Sequence, residues 1–177
     1  MGSKTGIFRK TGFGAAAAAA MFTMTGLASA QPADSFVERK IVTSEAARRI
    51  LDTCLAMAAE YPTPISVAVV DPFGILIDFH SMQGSSETSG TTALLKAKTA
   101  ARWRRTTAEV NEMVVSGLNR SPEWIGDFPQ PGAVPILIDG EVAGAVGVGG
   151  LAANFEYGEP CARAGIDAVF GAGFTPQ

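Results

Sequence analysis

The residues of this chain that can carry chemistry are few, and most fall between positions 80 and 150. His80 is the single histidine, a side chain whose proton exchanges near neutral pH. Met82, two residues on, offers a soft sulfur donor. Lys96, Lys98, Arg102, Arg104 and Arg105 then crowd together, and such a run is either a solvated helix face or the anchor for an anion. With His80 as general acid or base, Lys96 and Arg102 can stabilise an anionic intermediate, assisted by Glu87 or Glu141. That constellation describes a small lyase, hydrolase or isomerase acting on an aromatic or carboxylated metabolite, with His80 and Lys96 as its catalytic residues. A binding or sensing module would use the same cations without turnover, and a strand-end histidine can equally be structural. The sequence has no nucleophile elbow, no His-Glu-x-x-His helix and no phosphate loop, and its glycines do not form the dinucleotide fingerprint.

A glycine-rich ribbon is the second feature. Apolar runs at 134–138 and 141–148 flank Asp139-Gly140, a dipeptide suited to a two-residue turn with positive φ at both positions. The second run sets Gly144, Gly147, Gly149 and Gly150 among small apolar residues. A strand tolerates so many glycines only where a helix, another backbone or a ligand approaches closely. The ribbon therefore marks either a ligand contact, which brings Gly147 and Gly149 into the site, or the seat of a neighbouring helix or subunit.

These residues need elements to hold them. Helical spacing of Ala47, Ile50, Leu51, Cys54, Leu55 and Ala58 predicts a helix over 44–61, capped by Thr43 and stopped by Pro62 and Pro64. A continuous apolar run at 65–70 reads as a strand covered on both faces. Asp71-Pro72-Phe73-Gly74 suits a type I turn into a second strand at 75–80. A polar loop at 83–90 precedes a helix at 92–104, and Thr106-Thr107-Ala108-Glu109 forms a capping box for a third. The connection 117–132, with Pro122, Trp124, Pro129 and Pro131, has the length of a functional loop. A last helix at 159–170 packs through Cys161, Ala164, Gly165 and Ala168. Helices alternating with hairpins predict an α+β domain with a mainly antiparallel sheet. Cys54 and Cys161 both fall on apolar helix stripes, where they serve either as small hydrophobes or as a disulfide.

Lys4, Arg9 and Lys10, an alanine-rich apolar stretch, and Ala28-Ser29-Ala30 have the form of a cleaved signal peptide. The expected organisation is a leader at 1–30, an N-terminal extension at 31–41, the domain at 42–171 and a tail at 172–177. Export to the periplasm or the medium follows, with no membrane attachment after cleavage. The whole chain has a formal charge of −3, and loss of a leader without acidic residues makes the remainder more acidic. An acidic chain without a basic tail excludes nucleic acid and anionic membranes as partners.

Several ordered blocks carry a family resemblance: Ser66-Val67-Ala68-Val69-Val70-Asp71 with Gly74, Met82 with Gly84, Lys96-Ala97-x-Thr99-Ala100-Ala101, Pro131-Gly132-x-Val134-Pro135-Ile136, Asp139-Gly140-Glu141-Val142-x-Gly144-Ala145-Val146-Gly147-Val148, and Ala162-Arg163-Ala164-Gly165. Over 42–169 the chain thus resembles the GlcG/HbpS-like family, which includes exported haem-binding proteins and the C-terminal domain of PduO-type proteins. The resemblance implies a profilin-like fold, a five-stranded antiparallel sheet flanked by helices, assembled into homo-oligomers. It also implies an exported small-molecule-binding protein that binds or handles haem. Haem needs an axial ligand and cations for its propionates. His80 or Met82 would meet the iron and Lys96 and Arg102 the propionates, in a pocket bounded by Lys96, Trp124 and the 144–150 strand with Gly147 and Gly149. Two departures point to an altered pocket. Gln83 replaces the acid of the family's Met-Asp-Gly, and an acidic residue before the last helix is replaced near Tyr157-Gly158, with Glu156 and Glu159 flanking.

Overall fold

A computed structural model describes residues 37–150 and 155–172, together with Gly2, Ser35 and Phe174. The expected leader at 1–30, apart from Gly2, lies outside the described residues, as does most of the expected tail at 172–177. The elements are α1 (Ser44–Ala58), β1 (Ser66–Val70), β2 (Leu76–Ser81), α2 (Glu87–Trp103), α3 (Thr107–Val115), α4 (Ser121–Trp124), β3 (Ala133–Ile138), β4 (Glu141–Gly149) and α5 (Phe155–Phe170). The strands form one antiparallel sheet in the order β2-β1-β4-β3. The α+β class holds, but among the described residues the sheet has four strands, not the five implied by resemblance. Val42 donates one backbone hydrogen bond to Ala143 O (3.0 Å), beyond the point where β1 ends with Val70 opposite Ala145. Thr43 then caps α1, so the chain turns into a helix before a further ladder can form.

Local chemistry explains most boundaries. Thr43 accepts from Ala46 N at 3.2 Å, and α1 stops at Ala58 rather than running to 61. Tyr61 instead lies against Tyr157, ring centroids 4.6 Å apart, and donates to its carbonyl. The Asp71 carboxylate accepts from Phe73 N and Ile75 N, both at 2.8 Å, and fixes the first hairpin turn. Helix α2 begins at Glu87, inside the stretch read as loop, because Ser86 accepts from Ser89 N and caps it. The Thr106–Glu109 capping box forms as expected. Asp139 and Gly140 take positive φ (52° and 77°), as the two-residue turn requires. The last helix starts four residues ahead of the predicted 159, with Pro160 inside it. Its packing stripe is Cys161, Ala162, Gly165 and Ile166, while Ala168 faces solvent.

The core divides along the sheet. On one face Val67, Val69, Val134, Ile136, Val146 and Val148 meet Ile50, Leu51 and Ile166 of α1 and α5. Cys54 and Cys161 close as a disulfide with Cα atoms 4.8 Å apart. On the other face Ala68, Val70, Ala133 and Ala145 meet Ala93, Ala97, Ala100 and Ala101 of α2. Small side chains on both sides let α2 ride close to the sheet.

Candidate functional site

The close approach of α2 is what Gly147 and Gly149 serve, whereas Gly144 makes room for Val70 O and Val42. A Cβ on Gly147 would lie 2.2 Å from Ala93 O, and one on Gly149 would lie 2.1 Å from Ser89 O. Helix backbone therefore occupies the space that sequence reasoning offered to a ligand. Gly147 and Gly149 are buried beneath α2 and seat it.

Beside that contact lies a cleft of about 210 Å³. Ser86, Thr88, Ser89, Thr92 and Lys96 form its α2 wall, and Phe128, Gln130 and Gly150 line the rest. Ser89, Thr92, Lys96, Thr99 and Trp103 recur at helical spacing, so one stripe of α2 carries both the wall and its clamp. Phe128 N donates to Thr99 Oγ1 at 2.9 Å. The Asp127 carboxylate accepts from Trp103 Nε1 at 2.6 Å and from Arg102 at 2.7 Å. These bonds pin the segment at 127–128 to the helix. Below the cleft, Ser89 Oγ donates to Ser66 Oγ at 2.9 Å, and Ser66 Oγ shares a 2.8 Å hydrogen bond with Ser81 Oγ.

Lys96 is the charged member of the cleft. It is 6 % exposed, and its Nζ donates to Val148 O at 3.2 Å. The residues lining the cleft include no carboxylate. Burial alone lowers the amine's pKa to about 8. Gly132, with φ at 128°, makes the arrangement possible, since a Cβ there would lie 3.2 Å from Nζ and 2.9 Å from Val148 O.

The other expected site residues are dispersed. His80 is opposite Val67 in the ladder and shares the α1/α5 side of the sheet, whereas Lys96 lies on the α2 side. The imidazole is exposed on edge strand β2 and lines none of the principal hollows. Met82 is half-buried against the α1/α5 core, and Trp124 is 81 % exposed on α4. Arg102 lines a separate hollow of about 280 Å³ with Arg39, Phe73, Arg104 and Glu141. Its link to the cleft is indirect, through Asp127. Glu141 faces Arg39 at 3.6 Å, and Glu87 accepts from Thr91 Oγ1. The His80–Lys96–Arg102 constellation is therefore not assembled within one chain.

Sequence reasoning missed Ser86, Thr88, Ser89, Thr92, Phe128 and Gln130, while Gly150, at the end of the glycine-rich ribbon, does line the cleft. The signal for three of them was present: Ser86-Glu87 is a helix start, and Ser89 and Thr92 keep one helix face with Lys96. Among the described residues no cluster of three or more His, Cys, Asp or Glu could hold a metal ion, and no helix is long and apolar enough to cross a membrane.

Comparison with known proteins gives this geometry a family. The family described as "Haem degrading protein HbpS-like" matches residues 42–167. Protein GlcG of Escherichia coli K12 is 34% identical over 84 residues, covering 48% of this chain and 63% of GlcG. The chain thus spans less than two thirds of that relative's length. An uncharacterized 15.0 kDa protein from the dhaT-dhaS intergenic region of Citrobacter freundii is 31% identical over 115 residues, covering 62% of this chain and 80% of the relative. A crystal structure of a double mutant of HbpS from Streptomyces reticuli superposes with a TM-score of 0.71 at 26% identity, over 79% of this chain and 94% of HbpS. A PduOC:heme complex shares the fold with a TM-score of 0.67 at 21% identity, over 73% and 96% of the two chains. With a family match across most of its length and the same arrangement of sheet and helices in a solved relative, the chain belongs to the HbpS-like family.

Proposed function

We propose that the chain is a small-molecule-binding protein of the haem-handling kind, which seats an anionic group of its ligand on Lys96. The observation that carries this reading is the buried ammonium: Lys96 lines an open cleft without a carboxylate among the lining residues. A buried charge lacking a partner is costly, and a ligand carboxylate accepting its hydrogen bonds offsets that cost. Haem is the ligand suggested by the family description and by the PduOC:heme relative. The fit is partial. The cleft's size and its hydroxyls suit a propionate, but its lining holds no His, Met, Cys or Tyr for iron. His80 lies across the sheet, so no axial ligand is assigned within the single chain.

Haemin titration tests the reading. A saturable Soret band is expected for the wild-type protein, with affinity weakened about tenfold or more in Lys96→Met, the loss expected for one charge-assisted hydrogen bond. Absence of a saturable band, or equal affinity in a folded Lys96→Met variant, overturns it. Export is part of the same proposal. The form of residues 1–30 and the Cys54–Cys161 bridge both suit an oxidising compartment. Protein purified from its native source is expected to begin at Gln31; retention of residues 1–30 argues against export.

A further inference from the structure

Lys96 offers a second chemistry that ion pairing does not use. Its Nζ has one backbone acceptor, Val148 O, and bare Gly132 leaves room beside the amine. Hydroxyls and an amide, rather than carboxylates, line the cleft around it. A lysine in such surroundings is held as a poor ammonium and a ready nucleophile. We propose that Lys96 condenses with a small polar aldehyde or ketone, of the 2-oxo acid class, to form an imine in this cleft. This capture goes beyond the ligand reading and does not depend on haem.

The step balances without oxidation or reduction. The Nζ lone pair adds to the carbonyl carbon and a C–N bond forms. The two protons released by nitrogen pass to the carbonyl oxygen, which leaves as water, and C=N remains. Ser86, Thr88 and Gln130 line the same cleft and can donate hydrogen bonds to the departing oxygen or to the carboxylate of the captured molecule. Burial lowers the Lys96 pKa to about 8, so a sizeable share of the amine is neutral at mildly alkaline pH, whereas a solvated lysine has almost none. Lys98, two residues along α2, is an internal control. It lines a different hollow with Phe73, Gly74 and Arg102.

The test uses the wild-type chain and so does not depend on a variant folding. Protein is incubated with pyruvate and sodium cyanoborohydride, which delivers hydride to C=N and fixes it as a secondary amine. Site-resolved mass spectrometry then compares the lysines. The expected result is an adduct on Lys96, with the mass of pyruvate less one oxygen atom, forming roughly tenfold faster than on Lys98. Labelling of Lys96 no faster than Lys98 overturns the proposal. Haemin takes no part in the reaction, so failure here and failure of the haemin titration are separate results.

Discussion

The two faces of the sheet are built to opposite rules. Toward α1 and α5, branched residues interlock and a disulfide ties the two helices together. Toward α2, alanine and glycine replace them, and Ser66, Ser89, Lys96 and Thr99 are buried there as polar groups. The first face buries large apolar side chains and carries most of the stability. The second gives up apolar volume so that a helix can lie close enough to present a polar stripe beside the sheet edge. Within this fold, the apolar core and the proposed ligand site occupy different sides of the same strands.

The comparison breaks most completely at Gly149. A Cβ there would meet Ser89 O at 2.1 Å and Ala93 N at 2.8 Å, both backbone atoms that cannot swing aside. Gly149→Val is expected to cost on the order of 4 kcal/mol or more, read as loss of a cooperative urea transition. A near-wild-type midpoint would show that α2 can lift from β4 at little cost, and the division of labour between the faces would be wrong.

The next largest effect belongs to the opposite face. The Cys54–Cys161 bridge closes a loop with a sequence separation of 107 residues. Replacing both cysteines with alanine is expected to cost about 2–5 kcal/mol in chemical denaturation. Ligand affinity measured on the remaining folded protein should not change, because neither cysteine touches the α2 cleft. A parallel loss of affinity would show that the faces are coupled.

The unequal legibility of the sequence follows the same division. Elements held by local chemistry could be read directly: the Thr43 cap, the Thr106–Glu109 box, the Asp71 turn and the Asp139-Gly140 turn each need only a few neighbouring residues. The start of α2 was misplaced because Ser, Thr and Gly at 85–92 favour turns by propensity, and tertiary contact with β4 overrides them. The site was less legible still. Glycine spacing announced a close approach without saying whether helix or ligand made it. Reading 75–80 as a strand places His80 at its end without revealing that its face is the one away from Lys96. Sidedness across a sheet depends on which strands pair, and here β1 pairs with β4, more than sixty residues away in sequence.

A sharper test of the α2 face exploits the cost of its buried charge. In the unfolded chain the Lys96 amine keeps its proton to near the ordinary lysine value of 10.5, but in the folded chain only to about 8, because burial disfavours the charged form. Between those values the unfolded chain binds more protons, so this group makes stability rise with pH across the window, by about 3 kcal/mol in all. Below pH 8 the full penalty is present. Lys96→Met lacks the penalty and is expected to exceed the wild type by about 1–3 kcal/mol at pH 7, the gap closing by pH 10 in urea titrations. A variant less stable than wild type at pH 7 would mean that the amine is already well partnered, removing the reason for a ligand there.

The smallest expected effect is at His80, and it separates the two sheet faces most directly. The imidazole is exposed on an edge strand, in register with Val67 and therefore on the α1/α5 side. Truncating an exposed side chain that has no bonded partner among the described residues changes stability by about 0.5 kcal/mol or less. His80→Ala should leave both the denaturation midpoint and the haemin affinity of the wild type in place, while Lys96→Met changes both. A His80→Ala variant that loses the Soret band would require an iron site built on the edge of β2, with the carboxylate contact at Lys96 reached from another direction. Within one chain the sheet stands between those two residues, so that result would place the ligand between subunits and make the open edge of β2 part of the site.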